Sequence, residues 1–262
     1  MPRYAANLST LFTDVGFLDR FERAARAGFD AVEFQFPYAR PAAEVKARLD
    51  ANLVAVLFNL PPGAAGERGL ACLPGRRAEF EASVAEGLAY ADATGVRQLH
   101  CMAGMTPAGG DVEVLRRTFV ESVRHAARAA QTIGARVLVE PLNRYDVPGY
   151  YLGGGTAQAL ALLDEIVADN AFLQYDVYHA QRGEGELAAT IERHRARIGH
   201  IQIADNPGRH EPGSGEINFA FLLAHIDRIG YAGHVGCEYL PQARTEARLG
   251  WRDRPGAPGA AP

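Results

Sequence analysis

The segment RVLVEPLNRYDVPGYYLGGGTAQALALLDEIVADNAFLQYDVYHAQRG, residues 136–183, contains the pattern that decides the fold. It holds a short apolar run, Val137–Glu140, then a loop, a helical stretch, and a second apolar run, Phe172–Tyr175. Short β-rich runs separated by helical stretches favour parallel strands, because each helix returns the chain to the same end of the sheet. We expect Gly153–Gly155 to form a flexible loop before an N-cap at Thr156, rather than a phosphate-binding turn.

The same alternation extends to both sides of this segment and occurs eight times. The stretches FLDRFERAARAG and VLRRTFVESVRHAARAAQTIG carry apolar side chains at helical spacing, and each ends on a glycine suited to a left-handed cap. Eight strand–helix units in 262 residues predict an α/β fold, a single-domain (β/α)8 TIM barrel, for which about 250 residues are typical. An open nucleotide-binding sheet usually has a GxGxxG turn after its first strand, and this sequence has none there. The predicted strands are Tyr4–Asn7, Ala31–Phe36, Val54–Asn59, Gln98–Met102, Val137–Glu140, Phe172–Tyr175, His200–Ile203 and Val235–Glu238.

Composition narrows the class of protein. We predict a barrel over residues 1–250 and a disordered Pro-, Gly- and Ala-rich tail over residues 251–262. A net charge of −4 with scattered Lys and Arg residues argues against a nucleic-acid or membrane partner. Cys72, Cys101 and Cys237 form no CxxC motif, and no signal peptide or membrane-spanning run is evident, so we expect a soluble, cytoplasmic protein. The oligomeric state is left open, although barrels of this type often form homodimers.

Polar side chains occur at the ends of four consecutive predicted strands: Glu140, Asp176, Gln202 and Glu238. In a (β/α)8 barrel these ends form the catalytic face. Buried charges require compensation, and a divalent cation is the simplest compensation for several carboxylates. Oxygen ligands favour Mg²⁺ or Mn²⁺ over Zn²⁺. We therefore predict a metal site with these four ligands; the alternative is that each acid caps a helix or pairs with an arginine.

Five further polar residues are candidates for binding a substrate. Asn59 and His100 lie on the third and fourth strands, and His179 lies in the loop after the sixth. Arg209 and Arg68 lie in Gly- and Pro-rich loops, from which a guanidinium can bind a carboxylate with two hydrogen bonds. The loop that contains Arg68 is long enough to act as a lid. A core role for His100 and a surface role for the loop residues are the alternatives.

Seven stretches resemble the hydroxypyruvate isomerase family, within the xylose isomerase-like barrel superfamily. They are RYAANLSTLF, FDAVEFQFPY, NLPPGAAGERGLACLPGR, VEPLNRYDVPGYYL, QYDVYHAQRGEGEL, GHIQIADNPGRHEPGSGEIN and GCEY, and they span the chain from Arg3 to Tyr239. The length of the sixth stretch makes this resemblance specific.

The resemblance implies interconversion of hydroxypyruvate and tartronate semialdehyde in glyoxylate metabolism, with Glu140 and Glu238 as the catalytic acid/base pair. The superfamily's metal quartet of Glu, Asp, His and Glu corresponds to Glu140, Asp176, Gln202 and Glu238. Gln202 departs from the usual His; its amide oxygen is a weaker ligand for a transition metal, though suitable for Mg²⁺. Some relatives act on the four-carbon acid 2-oxotetronate, so the family leaves the length of the substrate open.

Three other functions are compatible with parts of the sequence. A ketose 3-epimerase would use the same paired glutamates and metal. An endonuclease acting on abasic DNA uses a related barrel, but it needs many His ligands and a basic face, and this chain is acidic with eight His residues. A non-catalytic binding barrel would require the polar strand ends to be structural.

Overall fold

The computed structural model of the protein describes residues 2–49 and 53–253. Its parallel strands pair in chain order and close into an eight-stranded barrel, so the predicted TIM barrel is confirmed. The strands are β1 (Arg3–Asn7), β2 (Ala31–Glu33), β3 (Val54–Asn59), β4 (Gln98–His100), β5 (Arg136–Val139), β6 (Ala171–Asp176), β7 (Ile198–Ile203) and β8 (His234–Cys237). The helices are α1 (Phe17–Arg26), α2 (Ala42–Leu49), α3 (Arg77–Thr94), α4 (Val112–Gln131), α5 (Gly155–Ile166), α6 (Val177–Gly183), α7 (Leu187–His194) and α8 (Phe219–Arg228).

Helix α4 illustrates how the sequence sets an element. Asp111 is its N-cap, and the side chain accepts hydrogen bonds from the backbone N–H groups of Glu113 and Val114 at 2.9 and 3.0 Å. Apolar side chains at helical spacing, among them Leu115 and Phe119, are buried along one face. The cap and the apolar face together fix where the helix begins and which side packs inward.

Several strands are shorter than predicted at their C-terminal ends. β2 stops at Glu33 and β4 at His100, while Glu140 and Glu238 each follow their strand by one residue. After Glu140 the chain meets Pro141, which has no N–H to donate to the ladder. The predicted N-cap at Thr156 is wrong: Gly154 is the N-cap of α5, and Thr156 is buried in the first turn.

The described residues group into two compact units. One runs up to Glu33, includes Arg48–Val56 and resumes at Tyr175; the other consists of Phe34–Ala47 and Leu57–Gln174. In the first, β8 pairs with both β1 and β7, with Val235 opposite Tyr4 and Ile201. In the second, β4 pairs with β3 and β5, and α4 packs on α3 and α5.

The predicted tail begins inside ordered structure. Gly250–Asp253 form a 3₁₀-helix, and the buried Trp251 ring packs edge-on against Tyr4 at 5.1 Å. Its Nε1 donates to the hydroxyl of Tyr239 at 3.3 Å. The boundary placed at residue 250 therefore falls too early, and the rest of the predicted tail, 254–262, lies outside the described residues. Among the described helices, none has the length and apolar character needed to cross a membrane.

Candidate active site

Glu140, directly after β5, is buried and held by side chains of the neighbouring strands. The amide nitrogen of Gln174 on β6 donates to Glu140 Oε2 at 3.1 Å, and His100 Nδ1 on β4 lies 3.5 Å from the same oxygen. Alternation of side chains along a strand places these groups on one face. The structure thus brings the predicted residues Glu140 and His100 together, and adds Gln174, which the sequence did not single out.

Tyr150 is a second residue near Glu140 that the sequence did not single out. Its hydroxyl accepts a hydrogen bond from the backbone N–H of Ala103 at 2.8 Å. Burial raises the pKa of the Tyr150 phenol far above its ordinary value, and the negative charge of Glu140 raises it further, while the Ala103 N–H opposes the shift. Tyr150 is therefore a neutral phenol throughout the physiological pH range.

The two carboxylate oxygens of Asp176 have different partners: one caps a helix and the other faces side chains of the candidate site. Oδ1 caps α6 by accepting from the backbone N–H groups of Tyr178 at 2.8 Å and His179 at 3.4 Å. Oδ2 lies 3.8 Å from His179 Nε2 and 3.1 Å from Arg209 Nη2. The helix begins immediately after Asp176, so His179 lies in its first turn and the predicted loop position is wrong. The His179 ring lies beside the acid.

Arg209 links two of the predicted acids. Its Nη2 lies 2.9 Å from Glu238 Oε2 as well as 3.1 Å from Asp176 Oδ2, and its guanidinium carbon is 5.4 Å from the centre of the Tyr178 ring. The Arg209 side chain is 28% exposed, whereas the two acids are buried. The loop arginine predicted to bind a substrate carboxylate therefore reaches the acids, where it compensates buried charge.

Three buried side chains, Glu140, Asp176 and His179, are of the kinds that can hold a metal ion. Two carboxylates and an imidazole suit a divalent cation, and the imidazole nitrogen favours Mn²⁺ or another transition metal more than Mg²⁺. Two of these residues are predicted ligands, whereas His179 was predicted to bind the substrate; Gln202 and Glu238 are the remaining predicted ligands.

Gln202 belongs to a buried polar network around Glu33. Its Nε2 donates to Glu33 Oε1 at 2.7 Å, and Asn7 Nδ2 donates to the same oxygen at 2.9 Å. His200 Nε2 lies 2.6 Å from the other oxygen, Glu33 Oε2. A side chain at Gly236 would collide with this carboxylate, because a Cβ there would lie 2.2 Å from Glu33 Oε2. Glu33 was not singled out from the sequence, because the predicted strand ran on to Phe36 and placed Glu33 in its middle, whereas β2 ends at Glu33.

The other predicted substrate-binding residues occupy different surroundings. Asn59 is buried at the end of β3, with Nδ2 3.9 Å from the sulfur of Met102. Arg68 is exposed, and its backbone carbonyl accepts from Gly104 N at 3.0 Å. The loop that contains Arg68 is tied to the β4–α4 loop at Gly69, where a Cβ would lie 2.2 Å from the carbonyl oxygen of Met102. The roles of Asn59 and Arg68 stay predictions.

Known proteins resemble this chain over nearly its whole length. The profile of the xylose isomerase-like TIM barrel family matches residues 21–254. A hydroxypyruvate isomerase of Escherichia coli K12 is 50% identical over 97% of this chain and 99% of its own length. A 2-oxo-tetronate isomerase of Cupriavidus necator is also 50% identical, over 96% of this chain and 97% of its own. A crystal structure described as an AP endonuclease, family 2, from Brucella melitensis superposes with a TM-score of 0.93 at 46% identity, covering 96% of this chain and 98% of that one.

Proposed function

Because the chain belongs to the hydroxypyruvate isomerase and 2-oxo-tetronate isomerase family of xylose isomerase-like TIM barrels, we propose that it interconverts hydroxypyruvate and 2-hydroxy-3-oxopropanoate (tartronate semialdehyde). It is a sugar-acid isomerase of this type, and its substrate is a small molecule. The observation that carries the proposal is the burial of three carboxylates at strand ends, Glu140, Asp176 and Glu238, each contacted by an N–H donor of the protein.

The reaction requires one proton to move between adjacent carbons. A base removes a proton from C3 of hydroxypyruvate to give an enediolate, an acid returns a proton to C2, and the hydroxyl proton passes from O3 to O2. We assign the base and the acid to Glu140 and Glu238, since a carboxylate can take a proton from one carbon and release it to the other. The side-chain nitrogens near Glu140, those of Gln174 and His100, orient its carboxylate.

Glu140, Asp176 and His179 would hold a divalent metal, with Gln202 and Glu238 as the further ligands proposed from the sequence. Such a metal, when bound, supplies a Lewis acid that stabilises negative charge on the substrate oxygens. Arg209 would hold the carboxylate of the substrate with two hydrogen bonds, and it already lies beside Asp176 and Glu238.

A substrate panel tests the proposal. Purified protein is incubated with hydroxypyruvate and with 2-oxo-tetronate, each with and without EDTA, and product formation is followed. We expect a higher kcat/KM on hydroxypyruvate and loss of activity with EDTA. A higher kcat/KM on 2-oxo-tetronate would transfer the assignment to that substrate. The 2-oxo-tetronate isomerase of Cupriavidus necator is as similar in sequence to this chain as the hydroxypyruvate isomerase is.

Two side arms of the panel address the remaining alternatives. Ketohexoses test for 3-epimerase activity, and an abasic oligonucleotide tests for the activity in the name of the Brucella melitensis structure. The net charge of −4 argues against the latter, because phosphate backbones are bound through basic surfaces. Replacement of either catalytic glutamate, Glu140→Gln or Glu238→Gln, should lower kcat about 10²- to 10⁴-fold while the protein stays folded. Near-normal turnover in either variant contradicts the two-glutamate scheme.

We also propose a cytoplasmic location and a homodimer. Cys72, Cys101 and Cys237 are all buried free thiols, as a reducing compartment allows. Size-exclusion chromatography with light scattering tests the oligomeric state; a monomer at micromolar concentration contradicts the dimer.

A further inference from the structure

The loop between β7 and α8 is folded around one buried carboxylate, that of Asp205. Asp205 follows β7 by two residues and is fully buried. Oδ2 accepts hydrogen bonds from the backbone N–H groups of Gly213 and Gly215, both at 2.8 Å, and Oδ1 accepts from Asn206 at 2.9 Å and Ile217 at 3.1 Å. All four donors come from this one loop.

Backbone contacts tighten the loop further around the same residue. The N–H of Asp205 donates to the carbonyl of His210 at 2.9 Å, and the N–H of Glu216 donates to the carbonyl of Asn206 at 2.8 Å. Close approach of the two loop arms requires glycine at position 215, because a Cβ there would lie 2.2 Å from Asn206 O. Each carboxylate oxygen of Asp205 accepts two of these N–H groups, whereas an asparagine would place an NH₂ group against one of the two pairs.

The residue held at the tip of this loop is Arg209. Its φ is +57°, a left-handed conformation that costs free energy for a residue with a Cβ and persists only where the surroundings enforce it. The carbonyl of Arg209 accepts from the N–H of Leu240 at 2.7 Å. From this constrained backbone its guanidinium reaches Asp176 and Glu238.

We infer that Asp205 is a positioning residue for the reaction: it folds the β7–α8 loop so that Arg209 is aimed at Asp176 and Glu238. This inference rests on the proposed function, since it gives Arg209 a role in binding the substrate. Displacing a substrate-positioning group by about 1 Å can cost on the order of 100-fold in rate, so a side chain that never touches the substrate can still control turnover. The prediction that separates this role from a merely structural one is that Asp205 acts only through Arg209.

A double-mutant cycle on kcat/KM tests that dependence, with the substrate that the wild-type protein turns over. We expect Asp205→Asn to lower kcat/KM about 10- to 100-fold, Arg209→Met to lower it at least as much, and the double variant to match Arg209→Met alone. Asp111→Asn is the matched control, because Asp111 also accepts backbone N–H groups, as the N-cap of α4. It should leave kcat/KM unchanged, because asparagine also accepts these N–H groups as an N-cap.

Two further arms keep the test informative. Gly215→Ala forces the loop arms apart without removing a charge, and serves if Asp205→Asn fails to fold; it should reproduce the kinetic loss. Limited trypsin digestion needs no substrate: cleavage after Arg209 should be faster in Asp205→Asn than in Asp111→Asn. The inference is overturned if Asp205→Asn lowers kcat/KM by the same factor in the wild-type and Arg209→Met backgrounds. It is also overturned if trypsin cleaves after Arg209 no faster in Asp205→Asn than in Asp111→Asn. If cleavage is faster in Asp205→Asn but the wild-type protein isomerises none of the substrates, the proposed function is refuted. Asp205 then still holds the loop in place.

Discussion

Replacing Glu33 by Gln should destabilise the barrel far more than an exposed Glu→Gln change. Glu33 is fully buried at the end of β2, and its carboxylate contacts the side-chain nitrogens of Asn7, His200 and Gln202 at 2.9, 2.6 and 2.7 Å. A glutamine of the same shape keeps one acceptor oxygen but places an NH₂ group where the second oxygen was. One donor then faces another donor unless a neighbouring side chain reorients.

The contacts set the size of the effect. Hydrogen bonds to a charged group contribute about 1.5–3 kcal/mol each, against about 0.5–1.5 kcal/mol for neutral pairs. Loss of charge assistance on three contacts therefore lowers the free energy of unfolding by about 3 kcal/mol. For a domain of this size that corresponds to a fall of roughly 6–12 °C in the melting temperature.

Urea unfolding followed by tryptophan fluorescence measures this loss. Trp251 is the single tryptophan of the chain and is buried against Tyr4 and Tyr239, so its emission reports on the packing around β1 and β8. Glu22→Gln is the control, because Glu22 is exposed and pairs with Arg26 one turn away; it should change stability by less than about 0.5 kcal/mol. A loss in Glu33→Gln no larger than in the control refutes the claim that the network supports the barrel.

Three other predictions follow from the described residues. Since His179 is one of the proposed ligands, Mn²⁺ should bind about tenfold or more tightly than Mg²⁺, and His179→Ala should reduce that preference in calorimetric titrations; an unchanged ratio contradicts the imidazole ligand. In urea unfolding, Gly69→Ala should lower the free energy of unfolding by several times the roughly 1 kcal/mol expected for Gly66→Ala. Both glycines have a positive φ, but only a Cβ at position 69 would meet backbone atoms, so equal losses contradict this prediction. Burial raises the pKa of the Cys72 and Cys101 thiols from 9.0 to about 12, so at pH 8 the native protein should hold about a thousandfold less of these thiolates than the unfolded chain and label correspondingly slowly. Because the folded pKa is the higher one, the stability linked to these thiols should be intact below pH 9 and fall as pH rises from 9 towards 12, and labelling at the unfolded rate contradicts the shift.

The barrel and the identity of its polar strand ends could be predicted from sequence because both depend on local order. Short apolar runs alternate with helical stretches, and an acid at the end of such a run is visible in the letters alone. The surroundings of those acids could not be predicted in the same way. Contacts such as Gln174 with Glu140 depend on which strands become neighbours and in what register, and that is set by closure of the whole sheet.

His179 shows how a small error in secondary structure changes a functional prediction. The sequence pattern predicts a loop at His179, from which its ring would meet a substrate oxygen. In the structure Asp176 caps a helix that begins at Val177, so His179 lies in the first turn and its ring comes beside the capping acid. The spacing of three residues between an N-cap acid and a histidine was the signal available, because N-cap side chains contact that position.

Gln202 is the residue whose interpretation the structure sharpens most. Its amide oxygen is a weaker ligand for a transition metal than the imidazole of the histidine expected at this position. The amide nitrogen of Gln202 donates to Glu33 Oε1 at 2.7 Å, so the planar amide turns its oxygen away from Glu33. A histidine at this position would donate one ring N–H to the same carboxylate and turn its other nitrogen away, as metal-binding histidines do when a carboxylate orients them. Glu33 can therefore orient a glutamine or a histidine at position 202. A glutamine there turns an oxygen away from Glu33 where a histidine would turn a nitrogen, but Glu33 holds both side chains in the same way.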